Sequence, residues 1–489
     1  MKLPEFVKRF LPESAFAKNV SVLVGGTALG QVITVLASPL LTRIYTPDDF
    51  GTLAVFASFL SIAAVIASLR YELAIPLPED DKTAANVLAL SLSIIVGNTL
   101  LAGILVWLFG GKVVDVINAP QLRPYLWLLP IGIFGVGTYQ VLNYWAIRKK
   151  AFNRVAQTKL NRSMAQVATQ AGVGLALNGP LGLILGQVVG QAMGSTTLAT
   201  LAWRNDRQAL SAISKQEMLL VAGRYKRFPV FSSWAALLNT LSSQLPIVML
   251  SYLFGPVVTG LYSLGHRVLQ TPMSLVGQSI GQVFFSSAAE ANRSGNISTI
   301  TRVVFQKLVQ VGLPVIMLIG IAAPELFAFI FGSEWREAGV YAQWLAPWLL
   351  LVFVSSPLST LPSVLEKQHF DTLFQAILLF SRIVSLFIGA ALGNELLAIA
   401  LFALVSALCW FGFMLWNMRL SGNNVGLVLG IIVKELVLAV LMILPVVIVK
   451  VFSSSIIMLI IAVIISAVII AYRFFNLLAG REHSKSFSN

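Results

Sequence analysis

The chain has 489 residues, 57% of them hydrophobic and 11% charged, with a mean hydropathy of +0.84. A soluble domain carries about 25% charged residues, so no soluble fold could hide this much apolar surface; the excess must face lipid or other spanning helices. The net charge of +14 raises nucleic acid as a partner, a reading excluded below by where the cations lie.

The apolar runs are continuous rather than alternating every second residue, which excludes a β-barrel and predicts an all-α polytopic membrane protein. About fourteen spans follow in chain order: 20–42, 51–75, 84–109, 122–147, 155–177, 181–203, 228–253, 257–285, 304–331, 338–364, 372–393, 396–418, 427–450 and 455–476. No cleavage pattern follows the first run, so it reads as an uncleaved span. The segment 204–227 is the longest polar connector. It divides the chain into an N-terminal six-helix lobe (1–203), a cytoplasmic linker (204–227), a C-terminal six-helix lobe (228–420), and two further helices with a cytoplasmic tail (421–489).

Charge sets the orientation. With both termini in the cytoplasm, about 27 of the 34 Lys and Arg residues fall at cytoplasmic ends and about 5 at exposed ends. That bias explains the net charge as topology and leaves no need for nucleic acid. A short repeat accompanies it. Tyr45-Thr46-Pro47 through Gly51 returns as Phe254-Gly255-Pro256 through Gly260, and Lys149, Phe152 and Gln157 return as Lys367, Phe370 and Gln375. Each set falls at the same place in its half, as in two similarly oriented lobes of a transporter.

Polar side chains inside a membrane are costly and mark function. In span eight His266, Gln270, Ser274, Gln278 and Gln282 recur every four residues along one helix face, and Arg267 lies beside His266. Two readings stand for this stripe: a hydrated cavity in which Arg267 binds an anion, or interhelical hydrogen bonding by the glutamines. Asn239 in span seven and Arg382 inside span eleven join the candidates, as do Arg43 and Arg70 at the ends of spans one and two. Arg154, Lys159 and Arg162 run into span five at spacings near one helical turn and read first as interfacial anchors. Arg70 and Glu72 are candidates for a structural pair, but being two apart they point to different sides of an ideal helix, so pairing with other helices is expected first. The single cysteine, Cys409, allows no disulfide within the chain and reads as a small buried hydrophobe. No phosphate-binding loop and no Cys/His metal cluster occurs, so no cofactor is expected.

The run Leu40-Leu41-Thr42-Arg43-Ile44-Tyr45-Thr46-Pro47-Asp48-Asp49-Phe50-Gly51, followed by Leu69-Arg70-Tyr71-Glu72-Leu73-Ala74-Ile75-Pro76-Leu77-Pro78 and the acidic Glu79-Asp80-Asp81, resembles the start of the Wzx-type polysaccharide biosynthesis flippases. These belong to the multidrug/oligosaccharidyl-lipid/polysaccharide exporter superfamily. The resemblance implies two six-helix lobes in a V-shaped, alternating-access transporter. It implies translocation of undecaprenyl-diphosphate-linked oligosaccharides across the bacterial inner membrane, for O-antigen, capsule or exopolysaccharide synthesis. By span and depth, Arg267 is then the counterpart of the cationic residues that receive a diphosphate in lipid II flippases. A polysaccharide polymerase and a chain-length regulator are the implied protein partners. Coupling to a proton or sodium gradient, the membrane potential, or downstream polymerisation are the driving forces left open. The competing readings are a cation-coupled drug antiporter of the same superfamily, whose sites favour intramembrane carboxylates, and a membrane-embedded polymerase, which would need large exposed loops that this chain lacks.

Overall fold

A computed structural model describes residues 15–365, 367–453 and 455–478, and every regular element among them is helical. The long helices are α1 (Ala15–Ile44), α2 (Pro47–Ile66), α3 (Asp81–Val116), α4 (Leu128–Arg148), α5 (Phe152–Ala176), α6 (Leu181–Asn205) and α7 (Ser233–Phe254). They continue as α8 (Pro256–Arg293), α9 (Ile297–Phe331), α10 (Arg336–Ser355), α11 (Gln368–Ala391), α12 (Glu395–Leu420), α13 (Val425–Phe452) and α14 (Ile456–Leu478). Each matches one expected span.

Local chemistry sets the starts. Thr46 and Asp49 form a reciprocal capping box at α2, with Pro47 at the first position, where its missing N–H costs nothing. Asp80 accepts the Thr83 N–H at 2.7 Å to start α3, and this bond holds its carboxyl below the usual carboxylate range. Asn394 and Asn424 cap α12 and α13 in the same way.

By length and composition, ten helices are apolar enough to cross a membrane: α1 to α3, α7 and α9 to α14. The other four, α4, α5, α6 and α8, span 21, 25, 25 and 38 residues. They are long enough to cross, at about 1.5 Å of rise per residue, but more polar. A helix of that kind in a membrane protein turns its polar face to other helices or to water.

Two segments differ from expectation. The second span was expected to continue to 75, but α2 stops at Ile66. Leu69 and Arg70 both take left-handed backbone conformations, with φ of 51° and 63°, and a short 3-10 turn, Tyr71–Ala74, follows. The segment 204–227 is folded rather than a plain connector. It carries two short helices, Arg207–Leu210 and Lys215–Arg224. Asn86 of α3, only 1% exposed, donates to Ala212 O at 3.2 Å and accepts from Ser214 N at 2.9 Å. Tyr71 donates to Ala222 O at 3.0 Å, and Trp145 to Asp206 at 2.9 Å.

The chain packs as two compact units, Glu13–Ser263 and, beyond residue 263, Leu264–Asn489, so the division falls within α8. This division follows packing, whereas the lobes expected from sequence follow the repeat. Both units use the same scheme: α3 packs on α4, α4 on α6 and α5 on α6; likewise α9 on α10, α10 on α12 and α11 on α12.

Within the N-terminal unit the two copies of the proline–glycine repeat meet each other. A Cβ on Gly51 would strike the carbonyl of Pro256, and a Cβ on Gly260 the carbonyl of Pro47. The starts of α2 and α8 therefore cross backbone to backbone, with glycine on each side of a local two-fold.

In the C-terminal unit α13 and α14 pack on α9. Leu318 and Ala322 meet Met442, Ile443, Val446, Leu459 and Ala462. Glu435, 1% exposed, accepts from Arg473 at 2.5 Å and from Gln310 at 3.1 Å, joining all three helices. Lys450 adds a second tie to α9 through Glu325 at 3.1 Å and Ile321 O at 2.6 Å.

Candidate functional site

The strongest cluster of expected residues lies in the C-terminal unit. Gly265 lets α8 approach α10 closely: a Cβ there would stand 2.7 Å from Ala338 O. The next residue, His266, stacks on Trp348 of α10, with ring centroids 5.6 Å apart and an angle of 20°. Trp348 in turn meets Phe402 of α12 edge to face at 5.1 Å. Arg382 of α11 closes the group. Its guanidinium lies 4.9 Å from the Trp348 ring and 5.3 Å from Phe402, and its Nε donates to Ser406 at 3.0 Å.

Arg382 is 8% exposed. Aromatic faces are electron-rich, so they stabilise a buried cation. Arg267 is half-buried one residue beyond His266, about 100° further round the helix. His266 feels the charge of both arginines.

The structure therefore brings His266, Arg267 and Arg382 together. Gln270, on the same helix, is exposed. Gln278 and Gln282 lie outside the residues whose side chains are described. The remaining candidates belong to the N-terminal unit. Asn239 is exposed on α7, and Arg43 is exposed in the last turn of α1, where a cation complements the helix dipole.

Arg70 does not pair with another helix as expected. Its Nη1 reaches Glu72, two residues on, at 3.4 Å, and Ser68 donates to the same carboxylate. The expectation assumed an unbroken helix; the left-handed turn at Leu69–Arg70 folds the two side chains onto one side. Glu72 is 1% exposed, so this local pair keeps a buried carboxylate compensated.

Sequence reasoning did not find Trp348, Phe402 or Ser406. It read Lys159 and Arg162 as anchors, whereas Lys159 donates to Thr27 of α1 at 2.6 Å and Arg162 lies 5.4 Å from the Tyr139 ring of α4. A signal was present. Tyr139 and Trp348 are 209 residues apart, the same offset as Pro47 and Pro256 (348 − 139 and 256 − 47). Each six-helix lobe of the repeat thus places an arginine of its fifth helix over an aromatic ring of its fourth.

The fold is shared with solved polytopic helical membrane transporters. It is similar to an inward-closed lipid II flippase, MurJ, with a TM-score of 0.72 over 94% of this chain and 99% of that one, at 10% identity. It is also similar to an inward-facing multidrug resistance transporter of the MATE family, with a TM-score of 0.60 over 82% and 94% of the two chains, at 13% identity. Residues 40–340 match the polysaccharide biosynthesis protein family, and the chain belongs to that family. Two relatives are similar to it in sequence. One is the succinoglycan biosynthesis transport protein ExoT of Rhizobium meliloti, 25% identical over 66% of this chain and 64% of its own length. The other is the lipopolysaccharide biosynthesis protein WzxC of Escherichia coli, 22% identical over 77% of this chain and 74% of its own.

Proposed function

We propose that the chain is a flippase that carries undecaprenyl-diphosphate-linked oligosaccharide units across the bacterial inner membrane for surface polysaccharide synthesis, with both termini in the cytoplasm. The observation that carries this reading is the Arg267–His266–Arg382 cluster in a member of the polysaccharide biosynthesis family. A diphosphate cannot cross hydrocarbon unaided, and guanidinium forks match its oxygens. Arg267 and Arg382 take the diphosphate, His266 and Gln270 the first sugars, and the lipid tail stays in the bilayer. Asn239, Arg43, Arg70, Gln278 and Gln282 are further candidates for contact with the sugars. Transport proceeds by alternating access, without a cofactor, driven by a proton or sodium gradient, the membrane potential or downstream polymerisation. A polymerase and a chain-length regulator consume the product.

The likeness to a multidrug exporter favours a second reading, cation antiport. Three carboxylates in or beside the spans, Glu72, Glu325 and Glu435, are each engaged by an arginine or lysine, which supports the anionic substrate over an organic cation. The deciding experiment is reconstitution in vesicles with a fluorescent undecaprenyl-diphosphate oligosaccharide, scoring head-group exposure with a membrane-impermeant reagent. Protein-dependent translocation is expected. Its absence across several glycans and ion gradients, with folded protein, would refute the flippase reading.

A further inference from the structure

Helices α5 and α6, with α1 and α4 packed on them, have an unusual charge balance. Helices α1, α4, α5 and α6 contain no Asp or Glu, yet α5 carries Lys159 and Arg162 three residues apart on one face. Arg162 stands ten residues into α5, about 15 Å along a helix that crosses about 30 Å of hydrocarbon. Both cations are half-buried. Like charges at this spacing repel, and no carboxylate on these four helices offsets them.

The surroundings are polar. Lys159 is held by Thr27 of α1, and Gly30 brings that helix against Ser163, to which a Cβ would come within 2.9 Å. Arg162 lies beside Gly190 of α6 and over Tyr139 of α4. Gln191 packs beneath Gly135 of α4. On these helices the buried atoms Gln31 Oε1, Tyr139 Oη and Gln191 Oε1 have no hydrogen-bond partner among the described residues. The tyrosine hydroxyl is a ready donor, and either amide can turn its NH2 inward. Two cations with adaptable donors, within an acid-free group of helices, make a receptor for an oxyanion.

We propose that the interior of the N-terminal unit binds a phosphate-type oxyanion between Lys159 and Arg162, with Tyr139, Gln31 and Gln191 as further donors. The site is built from residues of the N-terminal unit alone. Its ligand is the diphosphate of a lipid-linked substrate or free phosphate; the first source rests on the flippase reading, the second does not.

The test titrates full-length protein carrying Arg267→Gln with inorganic pyrophosphate by calorimetry. Binding is expected to persist in that variant and to weaken at least about tenfold when Arg162→Gln or Lys159→Gln is added, because each removes a charge-assisted contact. Tyr139→Phe keeps the ring under Arg162 and removes only the hydroxyl, so it should weaken binding while the ligand-free melting temperature stays put. Neutralising either cation should leave that temperature unchanged or raise it, since repulsion is relieved. Pyrophosphate binding that is absent, or is indifferent to all three substitutions, overturns the proposal. So does a ligand-free melting temperature that falls with both glutamine variants, which would make the cations structural. Undecaprenyl diphosphate in nanodiscs separates the sources: displacement of pyrophosphate identifies the lipid head group, and lack of displacement identifies free phosphate. Pyrophosphate binding by a protein that moves no lipid-linked glycan in vesicles would support the site and reject the flippase reading.

Discussion

Arg267 and Arg382 carry the same charge into the C-terminal unit but sit differently, and their variants should differ. Arg267 is half-buried, so Arg267→Gln should fold and lose transport in the vesicle assay, while Arg267→Lys keeps part of it because charge remains and the bidentate fork does not. Normal transport by Arg267→Gln would remove this residue from the site. Arg382 is enclosed by Trp348, Phe402 and Ser406. Its pairing with Trp348 should appear as a coupling of about 0.5–2 kcal/mol in a double-mutant cycle of thermal stability, using Trp348→Leu and Arg382→Met. Zero coupling would mean that the ring and the guanidinium are neighbours without interaction.

Among elements, the clearest case is the segment 204–227. Asn86 joins α3 to it through two bonds, donating to Ala212 O and accepting from Ser214 N, and also donates to Lys82 O within its own helix. Asn86→Ala leaves buried peptide groups unpaired, a cost of about 1–3 kcal/mol, and should make 204–227 measurably more sensitive to protease while the spans stay intact. Lys149 ties the same region together through Asp81 at 2.5 Å and Asp206 at 3.1 Å. Burial alone would lower its ammonium, but those two carboxylates outweigh burial and hold it above the ordinary lysine value of 10.5. The folded value is the raised one, so this tie is complete below about 10.5 and is lost only as pH climbs through the raised value. Protease resistance of the segment should therefore be level through neutral pH and fall at strongly basic pH.

The helices themselves were readable because a continuous apolar run of about 20 residues has few other fates in a membrane protein. The break at Leu69–Arg70 was not, because neither residue is the glycine that usually marks a left-handed turn. The rings beneath the arginines were legible only through the repeat, since Tyr139 and Trp348 keep its 209-residue offset while neither, taken alone in an apolar helix, shows what it faces.

At the scale of the whole molecule, the last two helices are fastened to α9 by Glu435, Gln310 and Arg473. Glu435→Gln leaves Arg473 without its counter-charge, and breaking such a buried pair costs about 3–5 kcal/mol, so the melting temperature in detergent should drop sharply. Replacing Glu435 and Arg473 together by leucine and methionine should recover most of the loss; no recovery would mean that the charges serve something other than fastening. The crossing of α2 and α8 has a genetic consequence. Gly51→Ala and Gly260→Ala should each cost well over the about 1 kcal/mol of a typical substitution, and by similar amounts, because each methyl meets a peptide carbonyl. A side chain opposite could be trimmed by a second mutation, but a carbonyl cannot. A suppressor screen on either alanine variant should return reversion to glycine rather than compensating changes at the contact. These two positions are therefore locked against drift by the backbone that they touch.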